Sequence, residues 1–164
     1  MSVGTEIVAQ IAVRESSGGS TVWEHAMHAT IRRAADVADG SARGQANKWY
    51  THEQTTGTAA VRDYNLTDGS LTGKYGVFAL TSKLKAIILR NKTDESGKDI
   101  WLLGHPTEGV QILRPTSAQV AVHGGGVFLW YSPDGVDVAD TMDIVRVQPE
   151  EGDTVTWEVG FLGV

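Results

Sequence analysis

The sequence predicts an all-β protein folded as an antiparallel β-sandwich of the jelly-roll type, with at most one short helix. Three observations predict it. Val155, Trp157, Val159 and Phe161 alternate with Thr154, Thr156 and Glu158, the two-residue period of a half-buried strand. From Tyr64 onward about eight short apolar or β-branched runs recur with breakers between them and no convincing helical pattern, the spacing of a sandwich or small barrel. Gly occurs 19 times and Pro 4 times in 164 residues, which supplies many turns without a disordered linker.

Taken in order, Glu6 to Arg14 has strand composition and Ser16-Ser17-Gly18-Gly19-Ser20 is a turn or hinge. Residues 1–20 are thus an N-terminal strand or arm with a Gly/Ser hinge, and 21–164 a single sandwich domain. Trp23 to Ala38 fits two periods. Trp23, Ala26, Met27, Ile31, Ala34, Ala35 and Ala38 share a helical face with a Thr21–Glu24 capping box, which local signals favour. Trp23, His25, Met27, Ala29 and Ile31 also alternate as a strand. Leu84–Leu89, Ile100–Leu103, Val110–Leu113, Gln119–Val122 and Val127–Tyr131 read as short strands, the last held between Gly124-Gly125-Gly126 and Ser132-Pro133-Asp134-Gly135. Met142 to Val147 and the C-terminal alternation, with Pro149 to Asp153 between them, read as a hairpin. Trp157, Phe161, Ile144, Leu129, Phe128, Ile88 and Leu102 are the expected core.

The formal net charge is −6, from 14 basic and 20 acidic residues, which argues against nucleic acid as a partner. Cysteine is absent, so disulfides, thiolate metal sites and cysteine nucleophiles are excluded. No apolar run is long enough to span a bilayer and no signal-peptide pattern opens the chain, so it is expected to be soluble as made, with no membrane partner.

Several patterns touch on chemistry. His123-Gly124-Gly125-Gly126 matches the oxyanion loop of some lipases and esterases, but no G-x-S-x-G accompanies it, and a glycine bend between strands accounts for it. Of His25, His28, His52, His105 and His123, His25 and His28 lie three apart and could share a helical face, but no H-E-x-x-H follows, no carboxylate sits at zinc spacing, and structural or surface roles account for them. Asp94, Glu95 and Asp99 form an acidic loop whose spacing does not match an EF-hand. Asn65-Leu66-Thr67 and Asn91-Lys92-Thr93 are glycosylation sequons by pattern alone. Trp49-Tyr50, Trp101 and Trp130-Tyr131 are candidates for a sugar platform or for ordinary packing. No catalytic, cofactor-binding or metal-binding residue is assigned, and no cofactor is expected.

In sequence order, Gly44 to Tyr50, the Tyr64 to Thr72 segment ending Gly69-Ser70-Leu71-Thr72, Lys83 to Asn91, Gly124 to Leu129, Asp143 to Val147 and Val155 to Gly163 resemble the strand and turn motifs of small β-sandwich proteins encoded in the structural-gene modules of tailed bacteriophages. The resemblance covers about residues 20–164, with Lys74-Tyr75-Gly76 departing from it. It implies a virion component without catalysis, a capsid decoration or cement protein, and it favours strand over helix at Trp23 to Ile31. The expected partner is the major capsid protein or another virion protein, and the expected location is the virion, assembled in the host cytoplasm. A homo-oligomer, with a trimer favoured, follows from the need to cover sheet edges and from the three-fold sites of virus heads. The alternative is a receptor- or glycan-binding domain of a tail fibre or spike; a hydrolase built around His123 to Gly126 is the third reading.

Overall fold

A computed structural model describes residues 5–15, 27–43, 45–57, 60–73, 76–113, 118–139, 141–150 and 154–164. Its strands are β1 (Thr5–Glu15), β2 (Met27–Asp39), β3 (Gln45–Ala46), β4 (Lys48–Gly57), β5 (Arg62–Asn65), β6 (Leu71–Gly73), β7 (Gly76–Phe78), β8 (Lys83–Asn91), β9 (Ile100–Leu103), β10 (Gln119–Val122), β11 (Val127–Asp137), β12 (Ile144–Pro149) and β13 (Thr154–Gly163). Two four-stranded antiparallel sheets face each other, in the orders β11-β8-β13-β4 and β10-β9-β12-β5. Lettered B to I in chain order, these eight strands give the sheets B-I-D-G and C-H-E-F, the jelly-roll arrangement. The all-β expectation therefore holds, and the only helical turn among the described residues is the short 3-10 segment Gln111–Leu113.

Both sheets bury alternate residues, so the core lies between them. Leu84, Ile87, Leu89, Val155, Trp157, Val159 and Phe161 from one sheet meet Tyr64, Ile100, Leu102, Val145 and Val147 from the other. Tyr50 stacks on Phe161 at 5.9 Å between ring centroids, and Tyr64 meets Phe161 edge-on at 5.5 Å. The fully buried Trp157 donates its indole N–H to the Tyr64 hydroxyl at 3.1 Å, so the largest core side chain brings no unsatisfied donor inside.

Three expectations about the elements need correction. Met27–Asp39 is strand, so the local helical signal is overridden, because pairing with β1 satisfies the backbone across eleven register positions. Ser16 to Ser20 and Trp23 to Ala26 lie outside the described residues. Val110–Leu113 is no strand: Val110 is buried, but Gly109 makes a single bridge to Ile144 and the chain then turns into the 3-10 segment. β12 and β13 do not form a hairpin. β12 pairs with β5 and β9, whereas β13 pairs with β4 and β8, so the connection between them crosses from one sheet to the other.

The expected core is right for Trp157, Phe161, Ile144 and Leu102, which are buried, and Phe128 packs partly buried against it. It is wrong for Ile88, which is 36% exposed, and for Leu129, its register partner on the same outer face. The cause is a bulge. Ala86 pairs with Tyr131 and Leu162 while Leu84 pairs with Val136 and Gly163, so Lys85 is an extra residue that shifts the alternation along β8.

β1 and β2 form a separate antiparallel ribbon, here called the arm. Among the described residues, its strand pairing with the remainder of the chain is confined to Ala38 and Asp39 against Gln45 and Ala46 of β3, in parallel register. β3 is tied to the sandwich where the Asn47 amide donates to the Gly163 carbonyl at 3.1 Å and where Ala46 packs with Ala86 and Leu162.

Candidate functional site

The structure answers the chemical candidates one by one. At the β10–β11 turn, the Gly125 amide donates to the Thr93 carbonyl at 3.0 Å and the Gly126 amide to the His123 carbonyl at 2.8 Å. Both N–H groups that an oxyanion hole would use are therefore engaged in the turn. The glycines are steric: a Cβ on Gly124 would fall 2.1 Å from the Glu95 carbonyl oxygen, and Gly125 sits at φ +74°. His123 Nδ1 lies 2.7 Å from Asp99 Oδ2, so the carboxylate holds the ring with its proton on that nitrogen. Asp99 is thus committed to His123, while Asp94 and Glu95 are exposed on the loop beside it. Among the described residues no group of three or more His, Asp or Glu side chains is placed to hold a metal ion.

The remaining histidines sit apart. His105 Nδ1 accepts from the Glu108 amide at 3.0 Å, and its Nε2 lies 3.9 Å from Asp63 Oδ2. Asp63 is held more tightly by Arg146, in a bidentate pair at 2.7 and 2.8 Å that keeps the carboxyl below its usual range. His52 stacks on Tyr50 and meets Tyr64 edge-on; burial first, and the nearby Arg62 second, push its pKa down. His28 is the register partner of Arg14 in the arm, and His25 lies outside the described residues. Both sequon asparagines serve as turn formers. Asn65 Oδ1 accepts from the Thr67 and Asp68 amides, and the buried Asn91 donates to the Lys98 and Val122 carbonyls.

The aromatic candidates do not form one platform. Tyr50 is buried and Trp130 packs against the core. Trp101 lies half-buried on β9 beside Ala121 and Gln148, on the outer face of the other sheet. Trp49 and Tyr131 do share a surface, the outer face of the β11-β8-β13-β4 sheet. Cross-strand register sets three rows on it: Val127, Arg90, Glu158 and Glu53; Leu129, Ile88, Gly160 and Thr51; Tyr131, Ala86, Leu162 and Trp49. The first row is charged beyond Val127, which is 56% exposed; in the second Ile88 is 36% exposed and Gly160 buried; the third is covered, with Ala86 and Leu162 buried against Ala46 and flanked by Trp49 and Tyr131. Gly160 keeps the middle row flat, since a Cβ there would lie 2.7 Å from the Ile88 side chain.

The root of the arm adjoins one end of this face. Gly40, at φ +141°, turns the chain out of β2, and a Cβ there would strike the Gln45 side chain at 2.3 Å. Gln45 Oε1 accepts from the Ala42 amide at 3.0 Å. Lys85, the bulge residue, is buried and donates to the Ala42 carbonyl at 2.6 Å and the Pro133 carbonyl at 3.3 Å. Burial lowers its pKa, and the Asp134 charge works the other way. Asp134 also pairs with Arg43 at 2.9 Å. Residues 40–43 are thereby stapled to the β8 and β11 bulge. Sequence reading missed Lys85 because a lysine between apolar neighbours gives no sign of being the extra residue of a bulge, and it missed Ile88 and Leu129 for the same reason.

The root of the arm is thus stapled to the sandwich at one end of the outer sheet face on which Val127 and Ile88 stand exposed. Set against known protein families, characterised proteins and solved structures, the chain matches none.

Proposed function

We propose that this chain is a non-enzymatic structural protein of a tailed-bacteriophage virion, a decoration or cement protein that docks on the head through the major capsid protein as a homotrimer. The observation that carries the reading is the paired architecture: a jelly roll with a two-stranded arm set outside its sheets. A lone two-stranded ribbon has marginal stability in water and gains order by joining other strands or a packed surface. Jelly rolls serve in viral shells, among other uses. The motifs that resemble phage proteins fall on the sandwich itself, with Lys83 to Asn91 forming β8 and Val155 to Gly163 lying in β13.

The test is co-sedimentation of the purified chain with undecorated phage heads, followed by thermal challenge of the complex. Saturable binding in multiples of three per capsomer site, with heads that resist heating better, is the expected result. Failure to bind heads, or immunogold label on tails in intact virions, refutes it. The second reading, a glycan- or receptor-binding domain, draws on the half-buried Trp49 and Tyr131 on one face. Three strand spacings separate them, roughly 14 Å, so they would grip a chain of sugars rather than a single ring. A glycan array distinguishes the two.

A further inference from the structure

The outer face of the β10-β9-β12-β5 sheet centres on one aromatic ring. Trp101 of β9 is half-buried there, with Ala121 of β10 and Gln148 of β12 as its direct cross-strand neighbours, about 4.8 Å away on either side. The next row on the same face is Gln119, Leu103, Arg146 and Asp63. Past the other end of Trp101, His123 meets Asp99 at 2.7 Å, and the Glu150 amide continues the ladder to the Asp99 carbonyl at 2.9 Å. The indole thus stands inside a rim of polar side chains, and Ala121, with only a methyl, cannot cover it from the β10 side.

Much of the hydrogen-bonding capacity of this rim is unspent. Elsewhere in the chain, Gln45, Asn65 and Asn91 use their amides on backbone groups, and Trp157 gives its indole N–H to Tyr64. Among the described residues, the amides of Gln119 and Gln148 and the indole N–H of Trp101 have no such partner. Arg146 spends two of its N–H groups on Asp63, at 2.7 and 2.8 Å, and keeps the others.

The charges narrow the ligand class. Arg146 is matched by Asp63, and Asp99 faces His123, so the rim offers donors and acceptors without a dominant sign. An anionic ligand would meet Asp63, Asp99 and Glu150, and a cationic one would meet Arg146. A protein partner would need an apolar centre depleted of charge, of which Trp101 and Leu103 supply too little. A neutral sugar meets each condition. One side of a pyranose ring presents C–H groups that stack on an indole, and its hydroxyls both donate and accept along the rim.

We propose that this face binds a neutral saccharide, with one pyranose ring stacked on Trp101 and its hydroxyls held by Gln148, Arg146 and Gln119. The site is distinct from Trp49 and Tyr131, which stand on the other sheet, and it does not rest on the head-docking reading.

The test titrates the full chain with neutral hexamers of glucose, galactose, mannose and N-acetylglucosamine, following the indole N–H signals by NMR. The Trp101 signal is assigned by its loss in Trp101→Phe. At least one hexamer should shift that signal saturably, with an affinity that added salt leaves unchanged, because no ion pair forms. Trp101→Ala should weaken binding tenfold or more, as for a central aromatic anchor. Gln148→Ala, which removes nothing from the core, should weaken it about threefold to tenfold and serves if Trp101→Ala fails to fold. Trp49→Ala should leave it unchanged. No binding of any hexamer at millimolar concentration overturns the proposal. So does binding that survives both Trp101→Ala and Gln148→Ala undiminished, or that Trp49→Ala abolishes, which would place the sugar on the other sheet. Binding lost at high salt overturns it too, since charge would then hold the ligand. None of these outcomes bears on co-sedimentation with heads, so the two readings fail separately.

Discussion

Replacing Trp157 separates what the core gains from its largest side chain into packing and hydrogen bonding. Trp157 is fully buried between the sheets and donates to the Tyr64 hydroxyl at 3.1 Å. An aromatic of this kind buries about 200 Å², which at about 25 cal/mol per Å² corresponds to about 5 kcal/mol. A compact unfolded chain makes that an upper figure. Trp157→Ala should therefore destabilise by about 3–5 kcal/mol, the usual range for emptying such a site. Trp157→Phe keeps most of the packing and removes the donor, for about 1–2 kcal/mol. Tyr64→Phe removes the acceptor, and the double variant Trp157→Phe/Tyr64→Phe should cost less than the sum of the two by about 1 kcal/mol, since the bond can be lost only once. Urea denaturation followed by circular dichroism measures all four proteins on one scale. A loss under about 1 kcal/mol for Trp157→Ala, or a strictly additive cycle, would refute the burial or the hydrogen bond respectively.

Gly124→Ala should destabilise by about 1–3 kcal/mol, read by the urea midpoint, because its Cβ would sit 2.1 Å from the Glu95 carbonyl, a backbone atom that cannot swing away. Lys85→Met removes the donor to Ala42 and Pro133, and trypsin should then cut after Arg43 about fivefold faster, as for a local loss of about 1 kcal/mol. The pH dependence has two limbs. Burial holds His52 below its ordinary value of 6.5 in the folded protein, so the unfolded chain takes up the proton first. Stability should then be level above about pH 7 and fall as pH drops through 6.5; His52→Gln should flatten that limb in thermal melts. Asp63 is lowered by Arg146, so its contribution is complete above its ordinary value of 3.8 and lost as pH falls through its folded value, a limb that Arg146→Met should weaken.

Much of the sandwich can be read from the sequence because a sheet with one buried face prints its period directly. The alternation of Val155 to Phe161 gives β13 and its inward side, and the glycine-bounded run at Val127 gives β11. What local pattern does not carry is the identity of a strand's partner. Pro149 to Asp153 looks like a hairpin loop but leads from one sheet to the other, since neighbouring strands of a jelly roll separate to pair with strands far away in sequence. The apolar run Ala86 to Leu89 shows no face of its own, and only the bulge at Lys85 decides that Ile87 points in and Ile88 out. At Met27 to Asp39 the helical and strand periods coincide, and the register with β1 decides between them. Ile88 and Leu129 stand on the outer face because of the same bulge, although composition assigns them to the core.

The place of β13 in its sheet has a consequence for how the molecule comes into being. β13 lies between β4 and β8, so until it docks that sheet consists of two unconnected pieces. It is also the last of the strands among the described residues, and it pairs Phe161 with Tyr50, 111 positions earlier. Closing a loop of that length costs about 4 kcal/mol of chain entropy before any cross-strand contact repays it. Folding dominated by such distant pairings runs in milliseconds to seconds rather than microseconds. Throughout that interval, β4 and the β8–β11 pair present unpaired edges and apolar faces to one another's copies, so a chain emerging from the ribosome is most vulnerable to mispairing until residues 154–163 are free to insert.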